Sequence, residues 1–285
     1  MDSSSTFTVD LEPLDPLPAI PVTHRLASAW AKYARAVEHF AELRVAATEV
    51  ISATSANGAL IPTPIRPGAF SIRAKLPEVP LRTSCLVGDV VHGLRTALDH
   101  AAWALATAHG FKGNRGKVHF PICANPKKYD DRRDSLTEMF GAVAVQVLEG
   151  LQPFHDRPGL VWLHDLDIVD KHESVLLMRH HLTVSDVVIT DAAGRRVMKR
   201  HGETPAPPII ISDGGEMFRL EHDGDHLTGV HIAVEMGASL ALAKGRAWPV
   251  DRVELIMRQA FHDVEDALLA IRDVLQPGVE EERFR

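Results

Sequence analysis

LRTSCLVGDVVHGLRTALDHAAWALATAH, residues 81–109, decides how the rest of the chain is read. At about 100° per residue, Val90, Val91, Leu94, Ala97, Leu98, Ala101, Ala102 and Leu105 spread around most of a helix's circumference. A helix that is apolar over most of its surface belongs in a core, so the stretch predicts a buried helix from Leu81 to His109, stopped by Gly110. Its polar residues share one narrow line. With His92 at zero, Thr96, Asp99 and Trp103 fall within about 40°, Asp89 and Arg95 about 60° to either side, and His100 about 80° away. Solvated helix faces favour Glu, Lys and Gln, whereas Asp, His, Thr and Trp are weaker helix formers. The line therefore has two readings. In one, Arg95 and Asp99 are an i, i+4 ion pair and Trp103 is a core residue. In the other, histidine carries protons, arginine stabilises negative charge and aspartate orients.

Working outward, Leu26, Trp30, Tyr33, Val37 and Phe40 alternate gaps of four and three, which predicts a long amphipathic helix over about Thr23–Thr54. Gly and Pro in SANGALIPTPIRPGAF end it, and FSIRAKL alternates as a short strand. Beyond the central helix, VHFPI reads as a short strand. SLTEMFGAVAVQVLEGLQPF reads as one helix from Ser135, with Ser135 as N-cap and Glu138 in a capping box, until Pro153 stops it. Pro158 opens another helix reaching about Leu177, in which Leu160, Leu163, Leu166 or Ile168, and Val169 repeat at helical gaps. Residues 182–236 change texture: Val, Ile and Thr dominate, with turn signals at DAAGR, SDGGE and HDGDH, and Asp223-Gly224 is the clearest hairpin. Pro249–Leu275 returns to a helix whose apolar face is Val253, Ile256, Met257, Ala260, Phe261, Val264, Leu268, Ile271 and Leu275.

These elements predict an α+β fold: a four- or five-helix core with an antiparallel β-meander inserted before the C-terminal helix, because each apolar stripe needs another to cover it. The expected division is a flexible segment over 1–21, a helical core carrying the site over 22–180, a β layer over 181–247 and a returning helix over 248–285.

Arg95-Thr-Ala-Leu-Asp-His100 resembles the Arg-polar-x3-His signature of the HEPN superfamily, helical bundles often found as metal-independent ribonucleases. The resemblance implies a homodimer that joins two motif copies and cleaves RNA by attack of a 2′-hydroxyl on the adjacent phosphate. It also implies His100 as general acid or base, Arg95 as stabiliser of the phosphorane-like transition state and Thr96 as polar helper, with Asp99 beside them. No cofactor is implied. More broadly, GDVVHGLRTALDHAAW, HFPI, LQPF and DLDIVDKH together resemble a group of uncharacterised bacterial proteins, a likeness that carries no activity with it.

A second polar concentration is HDLDIVDKHESVLL, in which His164, Asp167 and Lys171 share a helical face, with Asp170 and His172 beside it. With His92 and Trp103, Asp170 and His172 are candidate supporting residues. A metal reading would join His92, Asp99 or His100 to His164, Asp170 or His172, but no HExxH or close His-x-His spacing accompanies it. Between the two segments, Lys112, Arg115, Lys117, Lys127, Lys128, Arg132 and Arg133 are opposed only by Asp130 and Asp131. That local positive excess makes Lys112, Lys117, Lys127 and Lys128 candidate phosphate contacts.

The whole chain of 285 residues carries a formal net charge of −7, which disfavours generic polyanion binding outside such a patch. Cys85 and Cys123 are too few for a disulfide framework and read as small core residues in a reducing cytoplasm. The N-terminal stretch has neither the basic nor the apolar region of a secretory signal, and no apolar run is long enough for a membrane span. Patterns for Rossmann, P-loop, α/β-hydrolase and zinc-finger sites are missing. Three functions follow in order: the HEPN-like ribonuclease, a non-catalytic ligand- or partner-binding regulatory protein using the same cleft, and a metal-dependent hydrolase.

Overall fold

A computed structural model describes residues 24–57, 59–66, 69–172, 176, 178–190, 196–200, 209–210, 216–221, 231–242 and 253–276. The expected flexible segment over 1–21, the hairpin at Asp223-Gly224 and the other two turn signals lie wholly or mostly outside these residues. The fold is α+β, and its chain divides into two compact units. One takes in the described residues of Leu43–Ser84 and Leu177–Val253, the other those of Asp10–Glu42, Cys85–Leu176 and Glu254–Arg285. Among the described residues no helix is long and apolar enough to cross a membrane.

In chain order the elements begin with helix α1 (Ala27–Asn57) and the strands β1 (Ala59–Arg66) and β2 (Ala69–Lys75). Helix α2 (Leu81–His109) is followed by the shorter α3 (Pro126–Asp130), α4 (Arg133–Phe140) and α5 (Ala142–Gly150), then by α6 (Pro158–His172). Strands β3 (Met178–Thr190), β4 (Arg196–Arg200), β5 (Ile209–Ile210), β6 (Glu216–Glu221) and β7 (His231–Leu242) precede helix α7 (Val253–Leu275).

In the strand unit, β1, β2 and β6 form one antiparallel sheet, with Pro62 opposite Ile72 and Ile72 opposite Phe218. SANGALIPTPIRPGAF thus holds a strand where only a break was expected. Pro62 and Pro64 are tolerated within it because β1 is the edge of this sheet, where not every N–H needs a partner. Ser71 Oγ donates to Glu216 Oε2 at 2.6 Å, joining β2 to β6. The second sheet is centred on β3, which pairs along its length with β7 and also with β4 and β5. The pairing is therefore not that of a meander in sequence order. A 13-residue strand offers two hydrogen-bonding edges, and β3 uses both, while β6 leaves to pair with β2.

In the helical unit the apolar stripes meet as amphipathic helices must. The α1 stripe buries Trp30, Tyr33, Ala36 and Phe40, while Val37 is only half-buried. Phe261 of α7 lies between Tyr33 and Phe40, with ring centroids 5.6 and 5.1 Å away, and Tyr33 Oη donates to Glu265 Oε2. α1 also meets α2, where a Cβ on Gly93 would stand 3.0 Å from that of Ala36. α2 meets α6 at Gly88, whose absent side chain leaves room for the Asp170 carboxylate. α6 in turn meets α7 at Gly159, where a Cβ would fall 2.6 Å from the carbonyl oxygen of Gln259. The buried Asp263 of α7 accepts the Gly159 N–H at 2.8 Å and so satisfies one of the open donors in the first turn of α6.

Four local expectations change. The helix expected from Ser135 starts at Arg133, with Arg132 at the cap and no side-chain bond there; Ser135 Oγ donates instead to the Arg132 carbonyl. That helix is two, because Gly141 adopts φ 82°, a left-handed conformation open to glycine at no steric cost, and so breaks the ladder between α4 and α5. VHFPI is not a strand. Side chains rather than a neighbouring strand satisfy its backbone: Asp99 accepts from Phe120 N, Arg95 donates to Phe120 O, and the fully buried Gln152 binds both Cys123 N and Pro121 O. Of the cysteines, both free, Cys123 is buried as expected, but Cys85 is exposed on α2.

Candidate functional site

The helical unit carries every candidate site residue, and the part of α2 within it supplies the polar line. Along that helix Asp89, His92 and Trp103 are exposed and Thr96, Asp99 and His100 half-buried, so the polar line is the open side of an otherwise buried helix. Arg95 is not on the open side. Only 8% exposed, it directs Nη2 inward to Asp99 Oδ1 at 2.9 Å and to Phe120 O at 3.0 Å, while Nη1 is buried with no hydrogen-bond partner among the described residues.

Arg95 and Asp99 act on Phe120 together. One supplies a donor to its C=O and the other an acceptor for its N–H, at 3.0 and 2.9 Å, so an i, i+4 ion pair becomes a clamp on an extended segment. The clamp sets the neighbouring His119 on the line. His119 Nδ1 lies 3.5 Å from Asp99 Oδ2, and its Nε2 is 3.0 Å from Gly116 O. His119 was not among the residues expected at the site. Nothing in the VHFPI pattern marks it, because its link to Asp99 is made through the backbone of the next residue.

At the other end of the line, His92 faces α6. Its Nδ1 is 3.7 Å from Asp167 Oδ1, and its Nε2 is 3.5 Å from Thr96 Oγ1. Asp167 is buried and takes Lys171 Nζ at 2.8 Å on its other oxygen. Asp170, the expected supporting residue, lies against Gly88; burial, then the charges of Asp167 and Asp89, push its carboxyl above the usual range. His164 is half-buried on the same helix. Burial, then the Arg95 guanidinium, hold it below the ordinary histidine value, against the opposing pull of Asp165, Asp167 and Asp99. His172 stands exposed in the last turn of α6. His100 keeps its Nδ1 enclosed without a hydrogen-bond partner among the described residues.

Beyond Asp99, Trp103 is 37% exposed, and the Arg115 guanidinium stacks over it at 5.3 Å. Lys112 and Lys117 are exposed in the same loop, and Lys127 and Lys128 are exposed on α3. The basic excess is smaller than the local sequence indicates, since Arg133 is held by Asp130 and also by Glu149 of α5, each at 2.8 Å. Among the described residues no group of three or more His, Cys, Asp or Glu side chains is placed to hold a metal ion, so the proposed ligands from α2 and α6 do not converge on one. The chain matches no protein-family model, no curated protein and no solved structure.

Proposed function

We propose that the protein is a metal-independent endoribonuclease, HEPN-like in its motif and acting as a homodimer, with the open line of α2 as its site. One observation carries this reading: His92 on the open side of α2 and His119 in the segment clamped beside it each face a carboxylate, at 3.7 and 3.5 Å, on the helix that also carries Thr96, the half-buried His100 and the Arg115-capped Trp103. Such groups suit the reaction. One histidine takes the proton of the 2′-hydroxyl as O2′ attacks phosphorus; the O2′–P bond forms, the P–O5′ bond breaks, and a second histidine gives its proton to O5′. Lys112, Arg115 and Lys117 supply positive charge for the phosphate backbone. In this reading Arg95 serves from inside, by holding Asp99 and thereby His119, rather than by touching the transition state.

The test is incubation of mixed RNA with purified protein in excess EDTA. Products ending in 2′,3′-cyclic phosphate are expected, and His92→Ala, His100→Ala and His119→Ala should each slow their formation on the order of 100-fold while leaving the circular dichroism unchanged. Absence of cleavage with and without added divalent metal would overturn the proposal. The buried, fully committed Nη2 of Arg95 favours the second reading, a non-catalytic binding protein using the same face, and that result would leave it standing.

A further inference from the structure

We infer that Asp167 is the positioning residue for His92: from α6, its Oδ1 receives the Nδ1–H of the His92 ring and leaves Nε2, beside Thr96, as the nitrogen that exchanges a proton with substrate. The inference rests on the acid–base reading of the α2 line, but its geometry stands apart from the motif that suggested that reading.

Asp167 is 6% exposed. A carboxylate so enclosed loses its water and needs donors on both oxygens. Oδ2 has one in Lys171, at 2.8 Å. Oδ1 is buried with no hydrogen bond among the described residues, and His92 Nδ1 faces it from α2 at 3.7 Å. That separation is longer than a hydrogen bond, but the His92 side chain is 59% exposed and has room to turn, whereas the carboxylate is fixed by Lys171 and by its burial. In an ordinary surface pair four residues apart on a helix, the carboxylate oxygen that the lysine does not take is left to water. Here one oxygen is spent on the pair and the other is turned toward a histidine on a different helix.

One turn away along α2, Gly88 leaves room for the Asp170 carboxylate of the same helix α6, whose oxygen would lie 2.6 Å from a Cβ there. A carboxylate behind an imidazole fixes which nitrogen holds the proton, orients the ring and stabilises the imidazolium. If His92 is the base, the proton of the 2′-hydroxyl passes to Nε2, and both ring nitrogens then carry hydrogen, with the new charge beside Asp167. Asp167 itself takes no proton. Thr96 Oγ1, 3.5 Å from Nε2, marks the side on which substrate would approach.

The tautomer of His92 is read directly from long-range ¹H–¹⁵N spectra of the labelled protein at about pH 8.5, above the ordinary histidine range, with the signals assigned by His92→Gln. The wild-type protein should hold the Nδ1–H form. In Asp167→Asn the amide can donate to Nδ1, so the ring should pass to the Nε2–H form. RNA cleavage by that variant should fall about 100-fold in kcat with KM changed less than about twofold. A wild-type His92 in the Nε2–H form, or a tautomer unmoved by Asp167→Asn, would overturn the inference even if RNA is cleaved. The wild-type measurement needs no variant to fold. If the wild type cleaves no RNA but the tautomer responds as expected, the ribonuclease reading fails and the positioning role survives.

Discussion

Asp99 joins more of the site than any other side chain. Its Oδ1 serves both Arg95 and Phe120, and its Oδ2 faces His119. Removing it leaves a buried guanidinium with one acceptor fewer and a backbone N–H with none. Asp99→Ala should therefore lower the unfolding free energy by about 2–4 kcal/mol, since breaking a buried charged pair costs far more than such a pair contributes at a surface. Asn keeps an acceptor for Phe120 and should cost less. Urea titrations of both variants decide this, and a loss below about 0.5 kcal/mol for Asp99→Ala would show that the clamp bears little of the fold. Sequence spacing revealed the Arg95–Asp99 pair because four residues is a helical interval. It could not reveal Phe120, because a side chain binding the backbone 21 residues away has no period. His119 was hidden for the same reason, and Asp167, though recognisable as the partner of Lys171 on one helix, could not be connected from sequence to His92 on another.

The long helices were legible because periodicity is a property of the whole element. α2 runs from Leu81 to His109 as its pattern predicts, and the apolar face expected of α7 is buried from Val253 to Ile271. Where one residue overrides the pattern, the reading fails. Gly141 splits a helix whose apolar spacing continues across the break, and Gln152 and the Arg95–Asp99 pair replace the strand partner that VHFPI lacks. Crossings between helices are likewise set by single small residues. Gly159 shows how narrow that tolerance is: an added methyl would meet the Gln259 carbonyl oxygen at 2.6 Å and the Ala260 nitrogen at 2.8 Å, backbone atoms that cannot move aside as a side chain would. Gly159→Ala should destabilise the protein by about 2 kcal/mol through overpacking. Gly93→Ala, which meets the Ala36 methyl at 3.0 Å and the Ala36 backbone no closer than 3.4 Å, and which adds helix propensity, should cost clearly less. Equal urea midpoints for the two variants would contradict this account of the α6–α7 contact.

At the scale of the molecule, charge opposes the proposed substrate. A net charge of −7 repels RNA, and the basic loops must attract it locally. Sequence shows seven basic residues over 112–133, but the fold withdraws Arg133 into pairs with Asp130 and Glu149, and places Arg115 over Trp103. Lys112, Arg115 and Lys117 are then the cations that lie in one loop beside the α2 line, while Lys127 and Lys128 belong to α3. Each phosphate contact on a single strand releases counterions and contributes about 0.7 to the slope of log Kd against log salt. If both lysines of the loop contact phosphates, the double variant Lys112→Gln, Lys117→Gln should reduce that slope by roughly 1.4 for a non-cleavable 2′-O-methyl oligonucleotide. Lys127→Gln with Lys128→Gln, on the separate α3, should change it less. A slope unaltered by the first pair would remove the 112–117 loop from the binding surface, because phosphate contacts made there cannot be lost without losing their counterions.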